Sequence, residues 1–201
     1  MEYTEAISRI SEIHEHLAKG EVYRGFRSAP MAISGLLGLS AAIARPVLFP
    51  SAESGSILVY WIIVAALCAI IGGSETAYYY LFVDDEFGRR RTRKVLSQFV
   101  PCLAAGGAIT FGLARRDPSL IEYLPSLWAI VFSLGVFAAR PYLPRSIGWV
   151  ALYYAITGCA LLIGIDRCGG YFDIEIGGAF GIGQLAAALV FYWNLERTEH
   201  A

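Results

Sequence analysis

Charge and histidine are scarce in this sequence, and the usual catalytic motifs are missing from it. Only 16% of its 201 residues are charged, three are histidines, and the formal net charge is -1. This balance provides no global basic field that would recruit nucleic acid. The sequence contains no GxSxG elbow, Walker loop, HExxH pair or Rossmann glycine pattern. We therefore expect a non-catalytic role, no bound cofactor and no nucleic-acid partner.

Metal-ligating residues are too few and too poorly spaced to predict a metal site. His14 and His16 stand two positions apart, which places them on nearly opposite faces of a helix. Neither these two histidines nor His200 falls in an apolar run, so a histidine-ligated haem within a membrane is excluded. The four cysteines form no CxxC pair, and we predict neither a zinc site nor a disulfide framework.

Apolar residues, in contrast, are abundant. They make up 56% of the chain, and the mean hydropathy of +0.53 is too high for a soluble domain of this size. About 20 apolar residues are needed for a helix to cross a hydrocarbon core of roughly 30 Å. We therefore predict an all-α integral membrane protein with six transmembrane helices in contact with the lipid bilayer. The six runs cover residues 30–49, 56–80, 95–114, 120–139, 146–165 and 175–195.

Lysine and arginine are unequally divided between the two sides of the predicted bundle. Of the 16 such residues, all but Arg45, Arg115, Arg116 and Arg167 fall on one side. The positive-inside rule places that side, and with it both termini, in the cytoplasm. The predicted organisation is a cytoplasmic amphipathic helix and linker over 1–29, a transmembrane domain over 30–195 and a short cytoplasmic tail over 196–201. Short loops and a bundle rich in Ala and Gly favour a bacterial inner membrane.

The N-terminal segment has the pattern of a cytoplasmic amphipathic helix over residues 3–19. Ile7, Ile10, His14 and Leu17 recur at steps of three and four residues. The polar face is rich in glutamate, whereas helices that lie on anionic lipid carry Lys and Arg there. We therefore favour a protein surface as the docking partner of this helix.

A dense basic segment follows the second predicted helix on the same side. Its charged residues are Arg89, Arg90, Arg91, Arg93 and Lys94. One interpretation is that the acidic N-terminal helix lies against this segment, and another is that the helix recruits a second protein. A third is that the segment is only a topology determinant that also contacts lipid phosphates.

Glu75 is the main intramembrane candidate for a polar site, together with Gln98 and Gln184. An ionised side chain at the bilayer centre costs at least about 3 kcal/mol and is seldom kept there without a use. However, Glu75 falls near the inner boundary of the second helix, where Arg27 or Arg140 could pair with it. The amides of Gln98 and Gln184 can hydrogen-bond between helices, which is a common packing role.

Small residues and a short repeat suggest how the helices pack. The run Ala104–Ala108 on the third helix and the glycines Gly177, Gly178, Gly181 and Gly183 on the sixth are small enough for close helix contacts, and Gly177 with Gly181 has the small-xxx-small spacing. Arg45-Pro46 at the outer end of the first helix has a partial echo in Arg140-Pro141 at the inner end of the fourth. If it reflects ancestry, helices one to three and four to six form an inverted repeat, as in alternating-access carriers.

Three functions remain open at this point. The leading hypothesis is a non-catalytic accessory or regulatory membrane subunit that acts through its cytoplasmic face, with a protein partner there. The alternative is a small-solute transporter or channel on a 3+3 helix arrangement, built around Glu75, Gln98 and Gln184. A membrane enzyme acting on lipid or quinone would need a lateral groove lined by ionisable residues. A homo-oligomer is compatible with each of these.

Overall fold

The structure is a computed structural model that describes residues 27–50, 53–83, 86–164 and 171–197. In these ranges the chain is all-helical, and six helical spans are long and apolar enough to cross a membrane. The helices are α1 (Ser28–Leu48), α2 (Ser54–Tyr78), α3 (Glu86–Arg116), α4 (Leu124–Ala139), α5 (Ile147–Gly164) and α6 (Phe172–Phe191). The prediction of an all-α protein with six candidate membrane-spanning helices is confirmed. The predicted N-terminal amphipathic helix lies outside the described residues.

Short helical segments of other types extend three of these helices. A π-helical turn, Tyr79–Val83, continues α2, and another, Tyr192–Glu196, continues α6. A 3₁₀ segment, Pro118–Tyr123, leads into α4, and the side chain of Asp117 caps it by accepting a 2.9 Å hydrogen bond from the Ser119 N–H. This hydrogen bond to the charged form lowers the pKa of the Asp117 carboxyl below its ordinary value.

The third helix is longer than its apolar run predicts. The run starts at residue 95, whereas α3 starts at Glu86 and includes the basic segment in its first turns. Arg and Lys are good helix formers, so charge ends a hydrophobic run without ending a helix. An acidic residue in the first turn is also favourable to the helix dipole. The basic residues therefore lie on a helix rather than in a loop.

Each helix runs between two ends of the bundle. At one end, called the basic end here, α1, α3 and α5 begin and α2, α4 and α6 finish. At the opposite end, the order is reversed. The most extensive packing joins α1 to α6 and α4 to α5, and α1 also packs on α2 while α4 packs on α3. Little of α3 is buried inside the chain, whereas α4 and α6 bury much more of their surface.

The contact between α1 and α6 is a glycine seam. A Cβ at Gly177 would collide with the Cβ of Ala42 and stand 2.8 Å from the carbonyl oxygen of Gly38. A Cβ at Gly181 would stand 3.0 Å from the carbonyl oxygen of Gly35. The two backbones approach closely only because these positions have no side chain. The predicted seam is confirmed at Gly177 and Gly181, and Gly183 makes a close contact with Tyr154 instead, but the prediction is wrong for Gly178, where a Cβ would meet no atom within 4 Å.

The other predicted seam, over Ala104–Ala108 of α3, is wrong for the described part of the chain. A Cβ at Gly106 or Gly107 would meet no atom within 4 Å. The α3 helix instead packs on α4 through the neighbouring side of its surface, where Phe99 and Cys102 lie against Gly135. Composition shows that the side chains on one face of a helix are small, but not which way that face points. This face of α3 points away from the bundle.

The centre of the bundle is built around Tyr154 of α5. Its side chain is fully buried and contacts the rings of Phe132 and Phe180, with ring centroids 4.9 and 5.4 Å away. Gly183 of α6 leaves room for this ring, since a Cβ there would collide with it. The Tyr154 hydroxyl donates a 3.3 Å hydrogen bond to the Phe180 carbonyl. Burial of these aromatic side chains supplies much of the packing contact between α4, α5 and α6.

The packing bears in two ways on the predicted inverted repeat. In such a repeat α1 corresponds to α4, α2 to α5 and α3 to α6. The contact between α1 and α6 should then have a counterpart between α4 and α3, and the contact between α1 and α2 one between α4 and α5. All four contacts occur. The contact between α5 and α6 has no counterpart of similar extent between α2 and α3. The two arginines of the echo also differ, because Arg45 is buried and Arg140 is exposed. The repeat stays a prediction.

Candidate functional site

Glu75 lies at the basic end and pairs with the residue just before α1. Its carboxylate is 3.3 Å from the Nε of Arg27, and the two side chains are 28% and 46% exposed. Arg27 also donates a 2.6 Å hydrogen bond to the Tyr79 hydroxyl and lies over that ring, 5.2 Å from its centroid. The pair lies where α1 begins and α2 ends, and a charge at the end of a membrane span costs less than one at its middle. This position suits a structural pair better than a mid-membrane site.

A second polar contact at the basic end ties the first helix to the last. The two carboxylate oxygens of Glu196 accept hydrogen bonds from the backbone N–H of Ser28, at 2.8 Å, and from its hydroxyl, at 2.6 Å. The N–H of Ser28 lies in the first turn of α1, where backbone N–H groups have no hydrogen-bond acceptor within the helix. Glu196 therefore caps α1 from a distant part of the chain.

Gln98 and Gln184, the other two predicted members of the intramembrane site, are half-buried on α3 and α6. These helices have different main neighbours, since α3 packs on α4 and α6 packs on α1. The described hydrogen bonds and ion pairs link Glu75 to Arg27 rather than to either glutamine. The structure therefore does not bring the three predicted residues together as one cluster.

The basic segment is held against the end of α2 by one row of its arginines. Arg89 and Arg93 are four residues apart, so they share a face of α3. Arg89 donates a 3.2 Å hydrogen bond to the Leu81 carbonyl, and Arg93 donates a 3.1 Å hydrogen bond to the Tyr80 hydroxyl. Arg89 also lies 6.0 Å from the centroid of the Tyr80 ring.

A second row of the same segment faces away from the bundle. Arg90 and Lys94 are exposed, and among the described residues Arg90 forms an exposed ion pair with Glu86, 2.7 Å long. Exposed pairs of this kind contribute at most about 1 kcal/mol and leave the charge available to solvent. Thr92 and Val95, on the inner side, are fully buried. Because that side is fixed in the core, the outward row has a defined orientation.

The remaining members of the predicted cytoplasmic contact surface are not described by the structure. Ile7, Ile10, His14 and Leu17 lie outside the described residues, and so does the side chain of Arg91. Whether the N-terminal helix lies against the basic segment therefore stays a prediction.

Sequence reasoning missed a buried polar cluster at the opposite end of the bundle. Asp173, in the first turn of α6, accepts hydrogen bonds from Arg45 Nη1 of α1 at 3.1 Å and from Trp61 Nε1 of α2 at 2.7 Å. The side chains of Arg45 and Asp173 are only 11% and 12% exposed. One carboxylate thus joins three helices at one point.

The positions of Arg45 and Asp173 in the sequence are compatible with this cluster, but a count of charges on each side of the membrane does not show it. Arg45 lies inside the first helix rather than beyond it, and Asp173 begins the last helix instead of closing a loop. The two residues stand at the same end of the first and last helices, so a pair between them is possible, but only the packing of α1 on α6 shows that they meet. Trp61 looks like an interfacial anchor in sequence, yet its side chain is buried and its N–H has a specific acceptor.

Fold and polar clusters together define a multi-pass membrane protein, all-helical in the described residues, whose described charged side chains lie toward the two ends of the bundle. Among the described residues, no group of three or more His, Cys, Asp and Glu side chains could hold a metal ion. No known protein family, curated protein or solved structure matches the chain.

Proposed function

We propose that this chain is a non-catalytic accessory or regulatory subunit located in a bacterial inner membrane. It would recruit a protein partner at its cytoplasmic face. The observation that carries the proposal is the outward row Arg90 and Lys94, held in a fixed orientation on α3. An exposed charged row on a rigid element suits recognition, because its geometry is set before binding.

The charge balance of the basic end supports this proposal. Its three described glutamates all have partners, since Glu75 pairs with Arg27, Glu86 with Arg90, and Glu196 with Ser28. Among the described residues of this end, exposed basic side chains number eight and outnumber these three glutamates. The eight are Arg27, Arg89, Arg90, Arg93, Lys94, Arg140, Arg145 and Arg197. This local cluster of exposed basic side chains favours association with an acidic protein surface.

The acidic N-terminal segment fits the same role. In the proposed topology, with N and C termini in the cytoplasm, it lies on the same side as the exposed basic side chains of α3. Its apolar positions Ile7, Ile10 and Leu17 would provide a contact stripe, and its glutamates would favour a basic surface of this chain or of the partner.

Removal of residues 1–20 tests the role of that segment. The tagged protein is purified in mild detergent with and without these residues, and the accompanying proteins are identified by mass spectrometry. We expect a specific partner that is present with the full chain and lost with the shortened one. The same set of proteins in both samples would contradict the role of the helix.

A pair of substitution variants provides the matched control. I10E/L17E places charge on the predicted apolar face, whereas E12Q/H16Q changes the opposite face of the same helix. Each buried Ile or Leu is worth about 1.5 to 3 kcal/mol at an interface core. The first variant should therefore weaken partner recovery at least about tenfold, and the second should retain it.

A further inference from the structure

Arg140, which follows α4, rests its guanidinium on the first turn of α5. A Cβ added to Gly148 would stand 3.1 Å from the Nε of Arg140 and 3.3 Å from its Cζ. The guanidinium therefore lies against the glycine backbone, where a side chain would displace it. Arg140 is exposed, and its side chain has no hydrogen bond or ion pair with the described residues. Packing thus orients this cation while its N–H donors stay free to bind a ligand.

A second exposed cation stands in the turn that leads into α5. The side chain of Arg145 has no hydrogen bond or ion pair with the described residues, and its carbonyl accepts a 3.2 Å hydrogen bond from the N–H of Gly148. The described glutamates of this end, Glu75, Glu86 and Glu196, are bound to other residues and do not balance the two arginines. Guanidinium groups bind phosphate oxygens through charge-assisted, often paired hydrogen bonds. This turn is therefore suited to a phosphate-bearing ligand.

An exposed apolar stripe on α5 starts at the same turn. Trp149 and Ile156 are each more than half exposed, and their spacing of seven residues places them on one face of the helix. Leu152 is also exposed and lies one turn below both Gly148 and Trp149. Because α5 is one of the candidate membrane spans, this stripe faces the hydrocarbon of a bilayer, and an indole at its head suits the headgroup level. The two arginines therefore stand at the polar end of a lipid-facing surface.

We propose that the start of α5 binds an anionic phospholipid, with Arg140 and Arg145 donating to its phosphate oxygens and one acyl chain lying along Trp149 and Leu152. A phospholipid matches the whole surface, because it joins a phosphate to long apolar chains. Free phosphate would use the two cations alone. The outward row of α3 that carries the proposed function takes no part in this site, so either proposal can fail without the other.

The test uses native mass spectrometry of the delipidated full-length protein in neutral detergent. The protein is titrated with phosphatidylglycerol or with phosphatidylcholine of the same acyl chains, and inorganic phosphate is added as a competitor. R140Q removes the oriented guanidinium, and R116Q is its control at an exposed position of the opposite end. G148L keeps the charge but fills the place of the guanidinium, whereas G164L adds a side chain to open space on the same helix. Gel filtration checks that all four variants remain folded.

We expect the native chain to bind phosphatidylglycerol at least about tenfold more tightly than phosphatidylcholine, whose choline cation is repelled by the two arginines. R140Q and G148L should lose most of that preference, and R116Q and G164L should keep it. Inorganic phosphate should not displace the lipid, because it has no acyl chain. Equal binding of the two lipids, equal affinities for phosphatidylglycerol within either matched pair, or displacement by inorganic phosphate would each overturn the proposal.

Discussion

Asp173 makes the most demanding contact in the described chain, because it lies buried between a cation and an indole N–H. Removing charges from water is expensive, and their attraction offsets that cost only when every partner is present. A buried pair of this kind therefore adds little to net stability compared with apolar side chains. It is, however, strongly destabilising when one partner is lost, since the other charge is left without compensation.

The Arg45–Asp173 pair can be tested by comparing single and double substitutions. D173L leaves Arg45 buried without its acceptor and should lower the stability by about 3 kcal/mol. R45M/D173L removes both charges and should recover most of that loss. The fraction of folded protein after heating in detergent, followed by gel filtration, measures both. A double variant less stable than D173L would contradict this description of the pair.

At the scale of single residues, sequence reasoning named Arg27 and Arg140 as possible partners of Glu75, and the structure pairs it with Arg27, but it missed Asp173. Glu75 stands out in an apolar run, and its depth limits its partners to the few arginines at the same end. Asp173 stands beside a loop, where carboxylates are ordinary. Only the closeness of α1 and α6 reveals its burial, and that closeness depends on tertiary packing.

The glycine seam between α1 and α6 is the central contact at the scale of helices. Apolar burial cannot drive helices together in lipid, so close van der Waals packing has a larger share in membrane bundles. Gly35, Gly38, Gly177 and Gly181 let the two backbones approach, and the Arg45–Asp173 contact lies at one end of the same helix pair.

Neighbouring glycines of α6 offer a matched test of that seam. G177A adds a methyl group that collides with Ala42, whereas G178A adds one to open space. Overpacking should cost G177A about 1 to 3 kcal/mol, and G178A should be neutral or slightly more stable because Ala favours helix. The midpoint temperatures of thermal unfolding in detergent give the comparison. Equal losses in both variants would show that the seam is not close-packed.

The number of helices and their positions in the sequence follow from apolar runs alone. Which face of each helix packs against its neighbours does not. Each predicted run has its helix in the structure, because length and hydropathy are local properties. The orientation of α3 is not local. Its small residues over Ala104–Ala108 have the composition of a helix contact. However, Thr92, Val95 and Phe99 pack inward and so turn the small residues away from the bundle.

At the scale of the whole molecule, the two ends of the bundle differ in character. The basic end has exposed positive charge and paired glutamates, whereas the opposite end has a buried ion pair beside an apolar cleft. This asymmetry is what the positive-inside rule uses to predict that the basic end faces the cytoplasm.

Cysteine labelling tests the orientation directly. In a chain whose four native cysteines are replaced by alanine, E53C places a thiol at the end opposite the basic segment, and R145C places one at the basic end. Both positions are exposed. A membrane-impermeant maleimide added to intact cells, made accessible to the periplasm, should label E53C and leave R145C unlabelled until the cells are opened. The reverse pattern would place the termini outside.

The most direct test of the proposed function compares the two ends of α3. R90Q/K94Q removes the outward charges at the basic end, and R115Q/R116Q removes two exposed charges at the other end of the same helix. Each variant is purified in mild detergent and the co-purifying proteins are quantified by mass spectrometry. We predict that R90Q/K94Q loses most of the partner and R115Q/R116Q retains it. Equal recovery of the partner by both variants would contradict a role for the cytoplasmic basic row.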